Sequence, residues 1–278
     1  MAESRKKYFV FDEQTERLAK LAANAQTTDE LARLCQRMYL ADYIHLENMD
    51  LWLAKHALTA VFRMLKQYPA LRRQIHYFGT MKGFVSRKDE LFAFLYPNSD
   101  AECRWQIKEM TDEIAREEKR VFKEHGLAFA FYTGYGECQF CGIILDEDDF
   151  DEKEIVESLA KDEKLGFSPK GCGTMRSVVD HELGHLLDFW LGISNLGEFS
   201  SKMRTLSERY IERNLSAYAV QGGVNYYEVV AEGIAEYRNN PRPREIAQFV
   251  GYLLEKQYKW KLKEIEAESQ GFNLFWGK

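Results

Sequence analysis

The sequence predicts an α+β fold dominated by helix. Apolar residues recur at helical spacing through most of the chain, enough for about eight or nine helices. One stretch breaks that rhythm: Leu127 to Thr133 is aromatic-rich and has strand character, and Cys138 to Leu145 follows as a second strand after the turn signal Gly134-Tyr135-Gly136. The composition is that of an ordinary soluble domain, with 278 residues, 45% hydrophobic and 29% charged, which is ample for a real core.

Taken in order, residues 1–70 read as helical. Glu13 to Ala23 carries Leu18, Leu21 and Ala22 on one face, and Tyr8, Phe9 and Phe11 ahead of it suit docking of the N-terminus. Thr28 is the expected cap of the next helix. A long pattern runs from Leu46 to Tyr68, ended by Pro69. His76 to Asp100 is mixed and gives no clear element. Trp105 to His125 is a charged helix with Ile107, Met110, Ile114 and Val121 as its inner stripe and Gly126 as its stop. After the strand pair, the charged run Asp146 to Glu154 reads as a solvated turn leading into a helix from Glu152 to Lys161. A glycine-rich loop then leads to a helix capped by Thr174 and stopped by Gly192. Ser200 to Arg213 is helical, Leu215 to Val224 is loop, and Asn225 caps a helix reaching Tyr237. The last helix spans Arg242 to about Glu264, with Trp260 as its expected anchor. A soft boundary near residues 98–104 separates a helical N-terminal region, residues 1–100, from a C-terminal domain, residues 101–278.

Several classes are excluded at this level. A net charge of −6 argues against nucleic acid as a general partner, because that binding needs clustered Lys and Arg. No apolar run approaches a membrane span, so no membrane partner is expected. The first residues are basic but run straight into Asp12 and Glu13, without the apolar stretch of a signal peptide, so an intracellular location is expected. Five scattered cysteines do not form a disulfide framework. Cys138-Gln139-Phe140-Cys141 is a lone CxxC, with redox or half-zinc-site chemistry weighed against plain buried thiols, and the latter preferred.

The helix capped by Thr174 carries Asp180-His181-Glu182-Leu183-Gly184-His185-Leu186-Leu187-Asp188. His181 and His185 lie four apart, on one face and one turn apart, so their imidazoles can bind a single zinc ion, one per chain. Glu182 then sits beside the metal as a general base for water. Two ligands leave the site incomplete. A histidine six residues after His185 is a common third ligand, but Leu191 stands there. Asp188 shares a face with His185 and suits either a ligand or an acceptor that orients the ring. The Asn225–Tyr237 helix offers Glu228, Glu232 and Glu236, beside Ala231 and Ala235, which are small enough for two helices to approach closely. Against this, Glu228 also fits a capping box with Asn225.

HExxH followed by a Glu-x-x-x-Glu helix resembles the glutamate-type zinc metallopeptidases, the gluzincins. More narrowly, residues 180–188, the Tyr218-Ala219 loop and Glu228-Val229-Val230-Ala231-Glu232 resemble lethal-factor-like metallopeptidase modules, which also occur in phage head-associated and mobile-element proteins. Gly166 to Thr174 and Asn240 to Ala247 are similar to the phage versions, and the likeness covers roughly residues 127–255. It implies a zincin-like catalytic core with a small sheet or edge strand beside the HExxH helix. It implies zinc on His181, His185 and Glu228, Glu182 as general base, and Glu232 contacting a ligand histidine. Tyr218 is the implied oxyanion donor, with Tyr226 or Tyr227 as replacements. The implied activity is metalloendopeptidase hydrolysis of a protein or peptide substrate, aligned along a strand edge for which Cys138–Leu145 is the candidate. The implied setting is a bacterial cytoplasm or a phage particle, with phage or mobile-element proteins as partners. The rival expectation is a catalytically silent phage or mobile-element assembly protein whose zinc site only stabilises the fold.

Overall fold

A computed structural model describes residues 8–116, 122, 126–147 and 151–269. Residues 1–7 of the leader reading, 148–150 of the charged run and most of 117–125 in the predicted long helix lie outside the described residues. The described residues are helix-dominated, 65% helical, with one four-stranded sheet.

The sheet forms because short apolar segments from distant parts of the chain alternate about one plane. β1 (Tyr43–His45) pairs parallel with β2 (Tyr77–Thr80), β2 pairs parallel with β4 (Cys138–Leu145), and β3 (Ala128–Tyr135) pairs antiparallel with β4, giving the order β1-β2-β4-β3. The expected hairpin is present, turning at Gly136 with φ 60°. The expectation that Cys138–Leu145 offers a free edge is corrected: β4 pairs with β3 along its length and with β2 over Gly142–Leu145, and the edge strands are β1 and β3. Period-two alternation places Cys141, Ile143 and Leu145 in one core and Cys138, Phe140 and Ile144 in another on the opposite face. The CxxC cysteines therefore point to opposite sides of the sheet, and all five cysteines are buried and free.

The first face is covered by α3 (Leu51–Gln67) and α7 (Met175–Leu191), with α10 (Tyr226–Asn239) and α11 (Glu245–Ser269) packed behind. The second is covered by α4 (Met81–Leu95) and α5 (Ala101–Arg116). α1 (Glu13–Ala23) and α2 (Thr28–Arg37) flank β1 and α3. α6 (Glu152–Leu165) precedes α7, and α8 (Gly197–Arg204) and α9 (Glu208–Asn214) follow it. The sheet and the larger core draw on residues both before and after 98–104.

Several boundaries differ from the sequence reading. The cap of α2 is Thr27, whose Oγ1 accepts the Glu30 N–H at 3.1 Å, and Thr28 is the first helical residue. α3 begins at Leu51, not Leu46, because Asp50 caps it, its Oδ1 accepting the Leu53 N–H at 2.9 Å. The segment from His76 to Asp100 resolves into β2 and α4. The helix expected over Ser200–Arg213 is two, α8 and α9, because Ser207 caps a new helix through the Tyr210 N–H. Trp260 does not anchor α11, being 55% exposed; Tyr258 does, buried with its hydroxyl accepting the Ala70 N–H at 3.0 Å. At the N-terminus Phe9 is buried, and both Phe9 and the more exposed Phe11 meet Phe62 edge-on. Among the described residues no helix is long and apolar enough to cross a membrane.

Candidate metal centre

Both helices that build the centre start from satisfied caps. Thr174 Oγ1 accepts the Ser177 N–H at 3.2 Å while Ser177 Oγ accepts the Thr174 N–H at 3.1 Å, and Gly192 ends α7 with φ 66°. Asn225 Oδ1 accepts the Tyr227 N–H at 3.1 Å and starts α10. The two helices cross where a Cβ on Gly184 would lie 3.0 Å from Ala231 Cα and 3.2 Å from its carbonyl oxygen. The missing side chain of Gly184 permits that close approach to Ala231, and the approach brings Glu228 to the histidines.

The result is a triangle of donor atoms. His181 Nε2 and His185 Nε2 are 3.0 Å apart, and Glu228 Oε2 lies 3.3 and 3.4 Å from them. Glu228 Oε2 is buried yet takes part in no hydrogen bond. Ligands about 2.0–2.2 Å from a tetrahedral ion sit about 3.3 Å from one another. The three groups thus fit a metal ion, and they form the one such set among the described residues. Glu228 faces the imidazoles, not the Asn225 amide, which donates to Ala219 O instead, so the capping-box reading of Glu228 is not the one realised.

The surrounding carboxylates have separate tasks. Glu232 Oε1 lies 2.7 Å from His181 Nδ1, which directs Nε2 toward the centre. Asp180, with no exposed surface, takes Arg238 Nε at 3.2 Å and Asn239 Nδ2 at 2.8 Å, pinning α7 to α10 just before the first histidine. Glu236 is equally buried and is held by Arg244, whose guanidinium also donates to the carbonyls of Arg213 and Leu215. This fixes α10 to the segment that leads into the Tyr218 turn. Asp188 accepts the Ser194 N–H at 2.7 Å, a tie to the loop after α7, and is not one of the three groups that come together to hold an ion.

Glu182 is buried, and its Oε2 accepts the Ala130 N–H of the edge strand at 2.6 Å. Burial raises the Glu182 pKa, opposed by the two imidazoles and by that N–H. Burial works against charging His181, but Glu228 and Glu232 outweigh it and hold its pKa well above the ordinary imidazole value. Burial likewise pushes Glu228 up, and the imidazoles overcome it and hold the carboxyl well below the usual range. Tyr218 stands with its ring 5.8 Å from that of His181, its hydroxyl pKa raised by burial and by Glu228 and Glu182. Tyr226 packs on Phe199, and Tyr227 is largely exposed at the site's other side.

Two cavities meet at His181 and Glu182. One, of about 590 Å³, lies toward α6, Phe167 and Tyr218. The other, of about 370 Å³, runs along β3 from Phe129 to Tyr132 and past His185 and Glu228. Leu127 O accepts from Asp146, so the odd-numbered residues of β3 pair inward, and Ala128, Ala130 and Tyr132 turn their backbone groups outward.

Sequence reasoning missed Arg238, Arg244 and the Ala130 amide, and it gave neither Asp180 nor Glu236, which it offered as a ligand candidate, the role of a buried partner to an arginine. Glu163, which accepts the Gly171 and Gly173 N–H groups at 2.7 and 2.8 Å and so shapes the lead-in loop, was missed too. The only signal for Glu236 was its spacing, four beyond Glu232. No family model, no curated protein and no solved structure matches this chain.

Proposed function

We propose that the chain is a zinc-dependent endopeptidase with a zincin-like core. The observation that carries this reading is the triangle of His181 Nε2, His185 Nε2 and Glu228 Oε2, with the buried carboxylate of Glu182 beside it and an open strand edge alongside. Zinc held there supplies Lewis acidity toward a carbonyl and lowers the pKa of water. The residues do the rest. The outward backbone groups of β3, apart from the Ala130 N–H that holds Glu182, align an extended peptide. Glu182, aimed by the Ala130 N–H, takes a proton from the attacking water and hands it to the leaving amine. Glu232 keeps the His181 ring in the orientation that leaves Nε2 unprotonated toward the centre. Tyr218 donates to the developing oxyanion.

The test is elemental analysis combined with cleavage of a peptide library. Wild type should hold one zinc per chain. Glu182→Gln should retain it and lose at least about 100-fold in hydrolysis, and undiminished hydrolysis by that variant refutes the mechanism. Glu228→Ala should lose zinc; unchanged zinc moves the third ligand elsewhere. A zinc-loaded wild type that cuts no peptide leaves the centre as a silent stabiliser of an assembly protein.

A further inference from the structure

The larger cavity carries information about the substrate, given that the centre handles peptides. Its wall on the α6 side is set by helical spacing. Ile155 and Leu159 form an apolar strip, while Glu154, Ser158 and Asp162, each four apart, form a polar one beside it. Leu127, Phe167 and Val178 extend the apolar surface around the cavity. Every carboxylate that lines it (Glu154, Asp162, Glu182 and Glu232) is acidic in the same space, and no Lys or Arg lines it among the described residues. Neither Glu154 nor Asp162 forms an ion pair with a described residue. Glu232 is 5% exposed; one of its oxygens serves His181, and Oε2 is buried without a hydrogen-bond partner. An unpaired buried carboxylate oxygen is costly, and a donor from outside the chain removes that cost.

Lys and Arg side chains match this combination, because each joins an apolar stem to a cationic head. We infer that the cavity is a specificity pocket for a Lys or Arg side chain of the peptide substrate. The stem packs on Leu127, Ile155, Leu159 and Val178, and the head lies between Asp162 and the free oxygen of Glu232, with Glu154 at the mouth steering its approach. A purely apolar side chain would fill the walls but leave the carboxylates unmatched.

The experiment uses the zinc-loaded full chain carrying Glu182→Gln and a positional-scanning set of fluorescent peptides that differ only by Arg, Lys, norleucine or Glu at one position. Anisotropy titration should find one position where Arg or Lys binds at least tenfold more tightly than norleucine and where Glu binds weakest. Adding Asp162→Asn with Glu154→Gln should cut that preference at least threefold with zinc content unchanged. Those two side chains make no hydrogen bond to the other described residues, so the change is one of charge. Equal or tighter binding of norleucine, a preference untouched by the double variant, or no binding of any peptide overturns the inference. A preserved Arg preference in binding, with no cleavage by wild type, instead overturns the hydrolytic reading and leaves the pocket standing.

Discussion

The two faces of the sheet handle burial in opposite ways. On the α4–α5 face, Tyr77, Phe84, Phe92, Phe131 and Phe140 meet mostly edge to face, and the core is filled by aromatic volume. On the other face, α7 and α10 cross on glycine and alanine and bury charge between them. Asp180 and Glu236 are matched there by Arg238 and Arg244, whereas Glu228 keeps an oxygen free toward two imidazoles. Buried charge that is matched serves geometry; the oxygen left unmatched marks where a ligand belongs. The aromatic face should therefore govern stability alone, and the helix pair should govern stability and metal binding together.

That distinction is open to direct attack. The largest effect should come from Phe140→Ala, a fully buried ring, which should cost about 3–5 kcal/mol in chemical denaturation. Zinc per folded chain should not change, and a loss of zinc would show the two faces to be coupled. Gly184→Ala should cost about 1–3 kcal/mol by pushing Ala231 away, and here zinc affinity must fall with stability. If stability falls and affinity holds, the helix crossing does not set the ligand triangle. Proton competition should come next. His181 in the metal-free site is held above the ordinary imidazole value, so protons begin to compete above pH 6.5, and competition grows as pH falls. Glu228, held low, adds nothing in that window. Zinc affinity should drop about tenfold per pH unit there, or about 1.4 kcal/mol, and a flat titration between pH 8 and 6 would contradict it. The smallest effect should be Thr174→Ala, which removes one half of the α7 capping box and should cost about 1 kcal/mol in thermal or denaturant melts without altering zinc content.

Much of the helix pair was legible in the sequence because its signals are local. Thr174 and Gly192 bound α7, Asn225 opens α10, and the spacing of His181, His185, Glu228 and Glu232 follows from 3.6 residues per turn. The third ligand was open between Asp188 and three glutamates, and only the crossing at Gly184 and Ala231 brings Glu228 into the triangle. The sheet was half legible. β4 was marked by the glycine turn signal that precedes it, but β2 is only four residues long, buried throughout, and left no pattern to find. Which strand forms the edge depends on the parallel insertion of β2 beside β4, a long-range fact absent from any local window. The pairs Asp180–Arg238 and Glu236–Arg244 were invisible for the same reason. Their partners are eight and more residues away, and charged residues ordinarily read as surface.

The Glu163 carboxylate joins the end of α6 to the glycine loop before α7, while the face of α6 that lines the larger cavity bears no ligand to the centre. In the reading proposed above, most of the recognition surface lies on α6, apart from the ligands, while Glu232 on α10 serves both the pocket and His181. Substitutions at positions 154, 155, 158, 159 and 162 can retune what enters the cavity with the metal helices unchanged. A lineage, or an engineer, can thus vary the α6 wall of the cavity and leave the two helices that carry the ligand triangle, α7 and α10, untouched.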